Sequence, residues 1–375
     1  MRDIRQIDEN FRSQEISVSD LQFYNCLEQP FEINGLYQPQ QLQKYTRMPD
    51  AYRENPALNE GMRQLISNTS GGRIRFATNS PYLAVLVELE ALSNLPHMAA
   101  TGHSGVDVYI CERGKSDYAF RKICIPNVMR EDADRFYKAF MFFRDFDDFE
   151  AHEVMLNLPL YNGVNAVYVG IQENCQIFAP VEYRVKKPVF FYGPSTTQGG
   201  CASRPGNNYP NHVCRWLNCD FVNLGFSGSA AAEPEMAEYL ARQDASAIVL
   251  ELDMRKRDID VFRQTFAPFY QKIRQIAPKV PLILMSFPKF PKIHHTNSNY
   301  RDHVLSNRII METCVDAWNN GDENLWYIDG ETLFGDWDQD ACTVDYAHPN
   351  DLGFYRIAQR LYPVLKRALE VSERQ

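Results

Sequence analysis

Apolar and polar positions follow two different rhythms along this chain, and the change falls near residue 186. From about Glu15 to Val185 the apolar residues come in short runs broken by turn residues. Arg73-Ile74-Arg75-Phe76-Ala77-Thr78 alternates with period two, and Leu83-Ala84-Val85-Leu86-Val87-Glu88-Leu89 is nearly continuous. Val106–Cys111, Met155–Leu160 and Ala166–Ile171 repeat the pattern. Strands this dense, with no long helical period between them, predict an antiparallel β-sandwich of the jelly-roll kind over residues 1–186. The acidic, aromatic segment from Phe142 to Phe149 reads as a loop between strands.

After Pro188 short apolar runs alternate with helical periods. Strands are predicted at Phe190–Tyr192, Phe221–Leu224, Ala247–Leu252, Leu282–Ser286 and Leu325–Ile328. Helices are predicted at Tyr209–Leu217, Pro234–Arg242, Asp260–Ile276, Tyr300–Trp318 and Leu352–Leu369. Such alternation predicts an α/β domain over 187–375, with a parallel sheet covered by helices on both faces.

Composition narrows the partners. A 375-residue chain that is 45% hydrophobic supports two packed cores. Its net charge of −9 argues against nucleic acid or an anionic membrane as a main partner, since both attract basic surfaces. No apolar run approaches the ~20 residues of a membrane helix, and the charged N-terminus, Met1 to Asn10, does not read as a signal peptide. Nine irregularly spaced cysteines read as reduced thiols, so a cytoplasmic location is expected. Nothing in the sequence specifies an oligomeric state.

The candidate chemistry gathers at strand ends. Pro188-Val189-Phe190-Phe191-Tyr192 runs into Gly193-Pro194-Ser195-Thr196-Thr197-Gln198-Gly199-Gly200, a glycine-rich turn that offers one hydroxyl at the edge of the sheet. Asn223-Leu224-Gly225-Phe226-Ser227-Gly228 ends the second strand in a similar turn, and Glu251-Leu252-Asp253-Met254-Arg255 ends the third. Just before the last helix, Asp345-Tyr346-Ala347-His348-Pro349 sets a carboxylate three positions ahead of a histidine. Serine, histidine and aspartate are the parts of an acyl-transfer site. His294-His295 has no third ligand at convincing spacing, so no metal is expected. Cys201 reads as packing, and the Gly193–Gly200 turn lacks the spacing and lysine of a phosphate-binding loop.

The order Gly193-Pro194-Ser195, then Asn223, Gly225 and Gly228, then Asp345-x-x-His348-Pro349 is similar to that of the SGNH (GDSL-like) hydrolases. Gly105-Val106-Asp107-Val108-Tyr109 resembles a short motif of the β-sandwich that precedes the hydrolase domain in one branch. The resemblance implies a flavodoxin-like three-layer domain, with Ser195 as nucleophile, His348 as general base and Asp345 orienting it. The N–H groups of Ser195 and Gly228 would line the oxyanion hole. Many relatives remove acyl groups, often acetyl, from carbohydrates or lipids, and for this chain no metal or organic cofactor is expected. Two positions depart from the family pattern: Pro194 replaces the usual aspartate, and Arg255 stands where an asparagine amide is expected.

Arg255 could donate to the oxyanion, hold an anionic ligand, or pair with Asp253 or Glu251. Arg204 could contact substrate or form a structural ion pair. Trp337 could stack on a sugar face at the lip of the crevice or pack onto the neighbouring domain. The leading expectation is a serine esterase acting on O-acetyl groups of a carbohydrate, its partner being a small-molecule or oligosaccharide ester. The alternative is a degenerate member that binds a sugar or acidic ligand without turnover.

Overall fold

The alternating run at 73–78 becomes the middle of a sheet. In this computed structural model, which describes residues 18–126, 135–143, 151–252, 258–288 and 298–374 (the side chains of 298–300 excepted), the first part forms two sheets. One has the spatial order β1 (Leu21–Asn25), β9 (Val164–Gln172), β4 (Tyr82–Leu89), β7 (Phe136–Phe142). The other runs β10 (Ile177–Phe178), β3 (Arg73–Thr78), β8 (His152–Asn157), β5 (Val106–Glu112), β6 (Ala119–Cys124), with β2 (Glu32–Asn34) also on β3. All their pairings are antiparallel.

Register explains the core. Ile74, Leu156 and Val108 stand in one cross-strand row, and Phe76, Val154 and Ile110 in the next. Those side chains share a buried cluster with Leu83, Val85 and Val87 of β4 and Val167, Val169 and Ile171 of β9. Two inner faces meeting this way make a sandwich.

Several details differ from the sequence reading. The strand expected at Met155–Leu160 is shifted to His152–Asn157, and the chain leaves it at Leu158, whose N–H donates to Gly72 O. Phe142, expected in a loop, is the last residue of β7 and pairs with Tyr82; residues 144–149 lie outside the described residues. The flanking strands β6 and β7 expose Phe120, Phe136 and Phe142, which blurs the alternation that would reveal them. Short helices α1 (Pro39–Leu42), α2 (Asp50–Arg53), α3 (Glu60–Leu65) and α4 (Ala100–His103) fill the connections.

The second part is a five-stranded parallel sheet of β11 (Val185–Gly193), β12 (Cys219–Gly225), β13 (Ala247–Glu251), β14 (Leu282–Met285) and β15 (Leu325–Ile328). Its spatial order, β12-β11-β13-β14-β15, is the flavodoxin-like 2-1-3-4-5 order. The helices are α5 (Ser195–Gln198), α6 (Tyr209–Leu217), α7 (Pro234–Ala241), α8 (Ile259–Ile276), α9 (Ser298–Asn319) and α10 (Asp351–Ser372). Period two sorts each strand between the two faces. Phe190 and Tyr192 join Ile248, Leu250, Leu282 and Leu284 against α7, α8 and α9. Val189 and Phe191 join Ala247, Val249, Ile283 and Met285 against α6 and α10. Burying one such large side chain contributes roughly 1.5–3 kcal/mol.

β11 already pairs at Val185 with Cys219, so Lys186 and Lys187 lie within the strand; Pro188 sits where its register shifts, which tolerates the missing N–H. All nine cysteines are free thiols. No helix among the described residues is long and apolar enough to cross a membrane.

The two parts are stitched together by buried cations. Arg73 pairs with Asp220 and lies over the Phe221 ring at 3.8 Å. Arg47, buried, donates to Asn223 O at 3.1 Å and Gly225 O at 2.6 Å. Burial draws the Arg47 guanidinium down to about 9. Its three described acceptors, Leu65 O included, are all carbonyls.

Candidate active site

Ser195 opens α5 directly after β11, and its neighbours fix the turn. Gly193 pairs with Gly225, so the ends of β11 and β12 lie side by side, and Phe226 N donates to Gly193 O at 2.8 Å. The Asn223 amide donates to Thr197 O at 2.7 Å and its carbonyl oxygen accepts from Gly225 N at 2.8 Å. Under the helix the Glu251 carboxylate, at the end of β13, accepts from Thr197 Oγ1 at 2.6 Å and Tyr209 OH at 3.2 Å. Ser195 itself is 6% exposed. The turn at 199–200 closes on Ser195 O, which accepts from both Gly199 N and Gly200 N; Gly199 has φ +105°, a left-handed conformation suited to glycine.

His348 is presented by a tight loop. Asp345 Oδ1 accepts from His348 N at 2.7 Å and Ala347 N at 3.1 Å, while Oδ2 meets His348 Nδ1 at 2.7 Å. A carboxylate on Nδ1 assigns the proton there and leaves Nε2 as the basic nitrogen. Partial burial works against the Asp345 carboxylate, but the hydrogen bonds from His348 and Ala347 hold it below its ordinary value. Asp351, at the start of α10, accepts from Ser203 N at 2.8 Å and from Ser203 Oγ. That contact ties the helix after the His348 loop to the segment after Ser195.

Gly200 is where these pieces meet. A β-carbon built on it would lie 3.1 Å from His348 Cδ2, 3.3 Å from Ser195 O and 2.8 Å from Tyr161 OH. Ser195, His348 and Asp345 are thus gathered at one edge of the sheet. Among the described residues no hydrogen bond joins Ser195 Oγ to His348. Such bonds are often long before substrate arrives. Gly200→Ala is expected to displace the Tyr161 hydroxyl and to press the imidazole aside by a few tenths of an ångström rather than unfold the chain. Because about 1 Å of misplacement at a reacting group can cost roughly 10²-fold, kcat/KM in an ester assay should fall by less than that factor while the thermal midpoint barely moves.

The other candidates sort differently. Gly228 is exposed, with φ +64°, in the turn after β12, and neighbouring Ser227 N donates to Gln198 Oε1 at 2.9 Å. Arg204 does not present its guanidinium as a free substrate contact. It pairs with buried Asp107 at 3.0 Å, donates to Tyr109 OH and lies 3.8 Å from the Phe120 centroid, a structural ion pair with the sandwich. Trp337 is 81% exposed, so it is not packed against the neighbouring domain. Arg255, Asp253 and the His294-His295 pair lie outside the described residues.

Sequence reasoning missed the sandwich's own share of the site. Tyr161 OH donates to Ser195 O at 3.4 Å, and Ser70 Oγ to Gln198 O at 2.6 Å. His97 brings its ring centroid 5.6 Å from that of His348 and its Nε2 3.9 Å from Asp345 Oδ2. No local period marks these residues; only tertiary packing brings them in. Cys201, read as packing, is buried next to His97, whose carbonyl lies 3.5 Å from the thiol. Burial, and secondarily the Asp345 charge, push that thiol up to about 12, so at neutral pH it stays protonated and unreactive.

Two family models match the chain. Residues 186–366 match the GDSL-like lipase/acylhydrolase family, and residues 21–177 match the N-terminus of SGNH-hydrolase-type esterases. A Bacteroides ovatus protein described as a GDSL-like lipase is similar in structure, with TM-score 0.79 and 26% identity over 93% of this chain and 98% of that one. The salicylyl-acyltransferase of a tetracycline biosynthetic pathway shares the fold at TM-score 0.71 and 18% identity, over 93% and 98%. An acetyl xylan esterase from Butyrivibrio proteoclasticus does so at 0.54 and 14%, over 94% and 100%. No curated protein matches significantly. With the Ser195 turn, the His348 loop and a sandwich all in the family's order, and both models matched, this chain belongs to the GDSL-like (SGNH) acylhydrolases, ester hydrolases of the branch that carries an N-terminal β-sandwich.

Proposed function

We propose that this esterase removes small acyl groups, specifically O-acetyl groups of a carbohydrate, through Ser195, His348 and Asp345. The observation that carries the proposal is the Asp345–His348 hydrogen bond of 2.7 Å in a loop that meets the Ser195 turn at Gly200. Ser195 Oγ attacks the ester carbonyl carbon as His348 Nε2 takes its proton, giving a tetrahedral oxyanion. We assign the N–H groups of Ser195 and Gly228 as donors to that oxygen, and Arg255 as the third donor in place of the family's amide. Collapse breaks the bond to the sugar oxygen, which takes the proton from His348 and leaves as a hydroxyl, and the acyl group stays on Ser195 Oγ. Water then gives a proton to His348 as it attacks the acyl-enzyme, and the proton passes to Ser195 Oγ as its bond to the acyl carbon breaks and the acid leaves.

The sugar assignment draws on the carbohydrate esterases among proteins of the same fold and on Trp337, an exposed indole suited to stacking on a sugar ring. The test is hydrolysis of acetylated oligosaccharides beside short-chain aryl esters, by wild type and Ser195→Ala. Acetate release from the oligosaccharides by wild type alone is the expected result. Sugar binding without acetate release would favour the degenerate alternative, and aryl ester hydrolysis alone would remove the carbohydrate assignment.

A further inference from the structure

His97, Cys201 and His348 converge from three separate segments. One nitrogen of each ring and the Cys201 Sγ all lie within 4.8 Å of one another. We propose that these three side chains form a site for a soft divalent cation, zinc in the first instance, and that the bound ion switches the esterase off.

The donor set is what zinc prefers: two imidazoles and a thiolate, with a fourth position left for water. Tetrahedral zinc with bonds of about 2.0–2.3 Å places its ligands about 3.5 Å apart. Closing to that spacing calls for a small movement, and His97, with a side chain 50% exposed, is free to make it. The Asp345 carboxylate on His348 Nδ1 is also the support that metal-binding histidines commonly receive, since it aims Nε2 outward and raises its donor strength. Cys201 adds specificity, because a thiolate selects zinc over magnesium or calcium. On binding, the Cys201 S–H proton is released to solvent and a zinc–sulfur bond takes its place, with no change of oxidation state.

Inhibition rests on the reading of His348 as the base. The lone pair that would accept the Ser195 proton is the one a metal would occupy, so catalysis and coordination exclude each other. The sandwich contributes His97, so the site exists only where the two parts of the chain are docked.

The experiment uses the full chain, stripped with a chelator and kept reduced. Zinc should inhibit aryl ester hydrolysis reversibly, and added chelator should restore it. Cys201→Ser should keep its activity without zinc yet need at least about 10-fold more zinc for half-inhibition, the loss that even an outer partner of a metal ligand can cause. His97→Gln, at a half-exposed position, should shift inhibition in the same direction and covers the case in which the buried serine disturbs folding. Cobalt(II) should give a thiolate-to-metal charge-transfer absorption with wild type and with Ser195→Ala, and none with Cys201→Ser. No Cys201-dependent absorption, or activation by zinc, would overturn the proposal. The absorption together with full activity at saturating cobalt would leave the metal site standing and remove His348 from its role as base.

Discussion

Replacing His348 with alanine is expected to lower kcat/KM for ester hydrolysis by roughly 10⁴–10⁶-fold while the fold survives. His348 sits on a surface loop, 25% exposed at the side chain, and its ring takes no part in a buried core. Its removal should therefore leave the thermal midpoint close to wild type. The sharper expectation concerns the pair. In the proposed relay Ser195 and His348 act on one proton, so Ser195→Ala in the His348→Ala background should cost almost nothing more. Two independent contributions would multiply instead. Asp345→Asn should be milder, on the order of 10⁴-fold or less. It keeps an oxygen for the His348 and Ala347 N–H groups but loses the charge that stabilises the imidazolium. Added imidazole should partly restore His348→Ala, an effect a purely structural histidine would not show. Multiplicative losses, or a His348→Ala enzyme at near-wild-type rate, would remove the proposed relay.

How much of this was readable beforehand follows from where each signal lives. The sheet was legible because Phe190/Tyr192 and Val189/Phe191 split by period two between opposite cores, a pattern local to four residues. The convergence of Ser195, Asp345 and His348 on one edge of the sheet was legible because they stand at strand ends and at a three-residue spacing. His97 and Tyr161 were not, since each meets the site from a loop of the sandwich, about 100 and 34 positions from Cys201 and Ser195 along the chain. Arg47 was equally hidden: its carbonyl partners leave no charge pattern in the sequence. Arg204 shows the opposite case. Its place in the sequence left substrate contact and a structural ion pair both open, and a carboxylate 97 positions earlier holds it in a pair.

That carboxylate is Asp107, and its removal is the second large effect expected. Asp107 is fully buried; Oδ2 accepts from Arg204 Nη1 at 3.0 Å and Gly206 N at 2.8 Å, and Oδ1 accepts from Asn157 Nδ2 at 2.7 Å. The residue at the centre of Gly105-Val106-Asp107-Val108-Tyr109 thus clamps the segment after Ser195 onto the sandwich. Asp107→Ala strands the Arg204 guanidinium, 20% exposed, and two polar hydrogens. Breaking a buried pair from one side costs about 3–5 kcal/mol. Asp107→Asn should cost less, because Asn157 Oδ1 is buried without a partner and, after an amide flip, can accept from the introduced amide.

Acid sharpens the comparison. Burial pushes the Asp107 carboxyl above its ordinary value, against the pull of Arg204, Asn157 and Gly206. A carboxyl raised in the folded state binds protons more tightly there than in the unfolded chain. Its contribution is full below the unfolded value and declines as pH rises through the folded one. The stability gap between wild type and Asp107→Asn should therefore widen as pH is lowered from 7 towards about 4. Urea unfolding at several pH values measures it, with circular dichroism reporting both parts. All four tryptophans lie after residue 186, so their fluorescence reports the catalytic part alone. In Asp107→Ala the circular dichroism midpoint should fall ahead of the tryptophan midpoint, as the sandwich loses its hold. Coincident midpoints at wild-type denaturant concentration would mean that the Asp107–Arg204 clamp does not join the two parts.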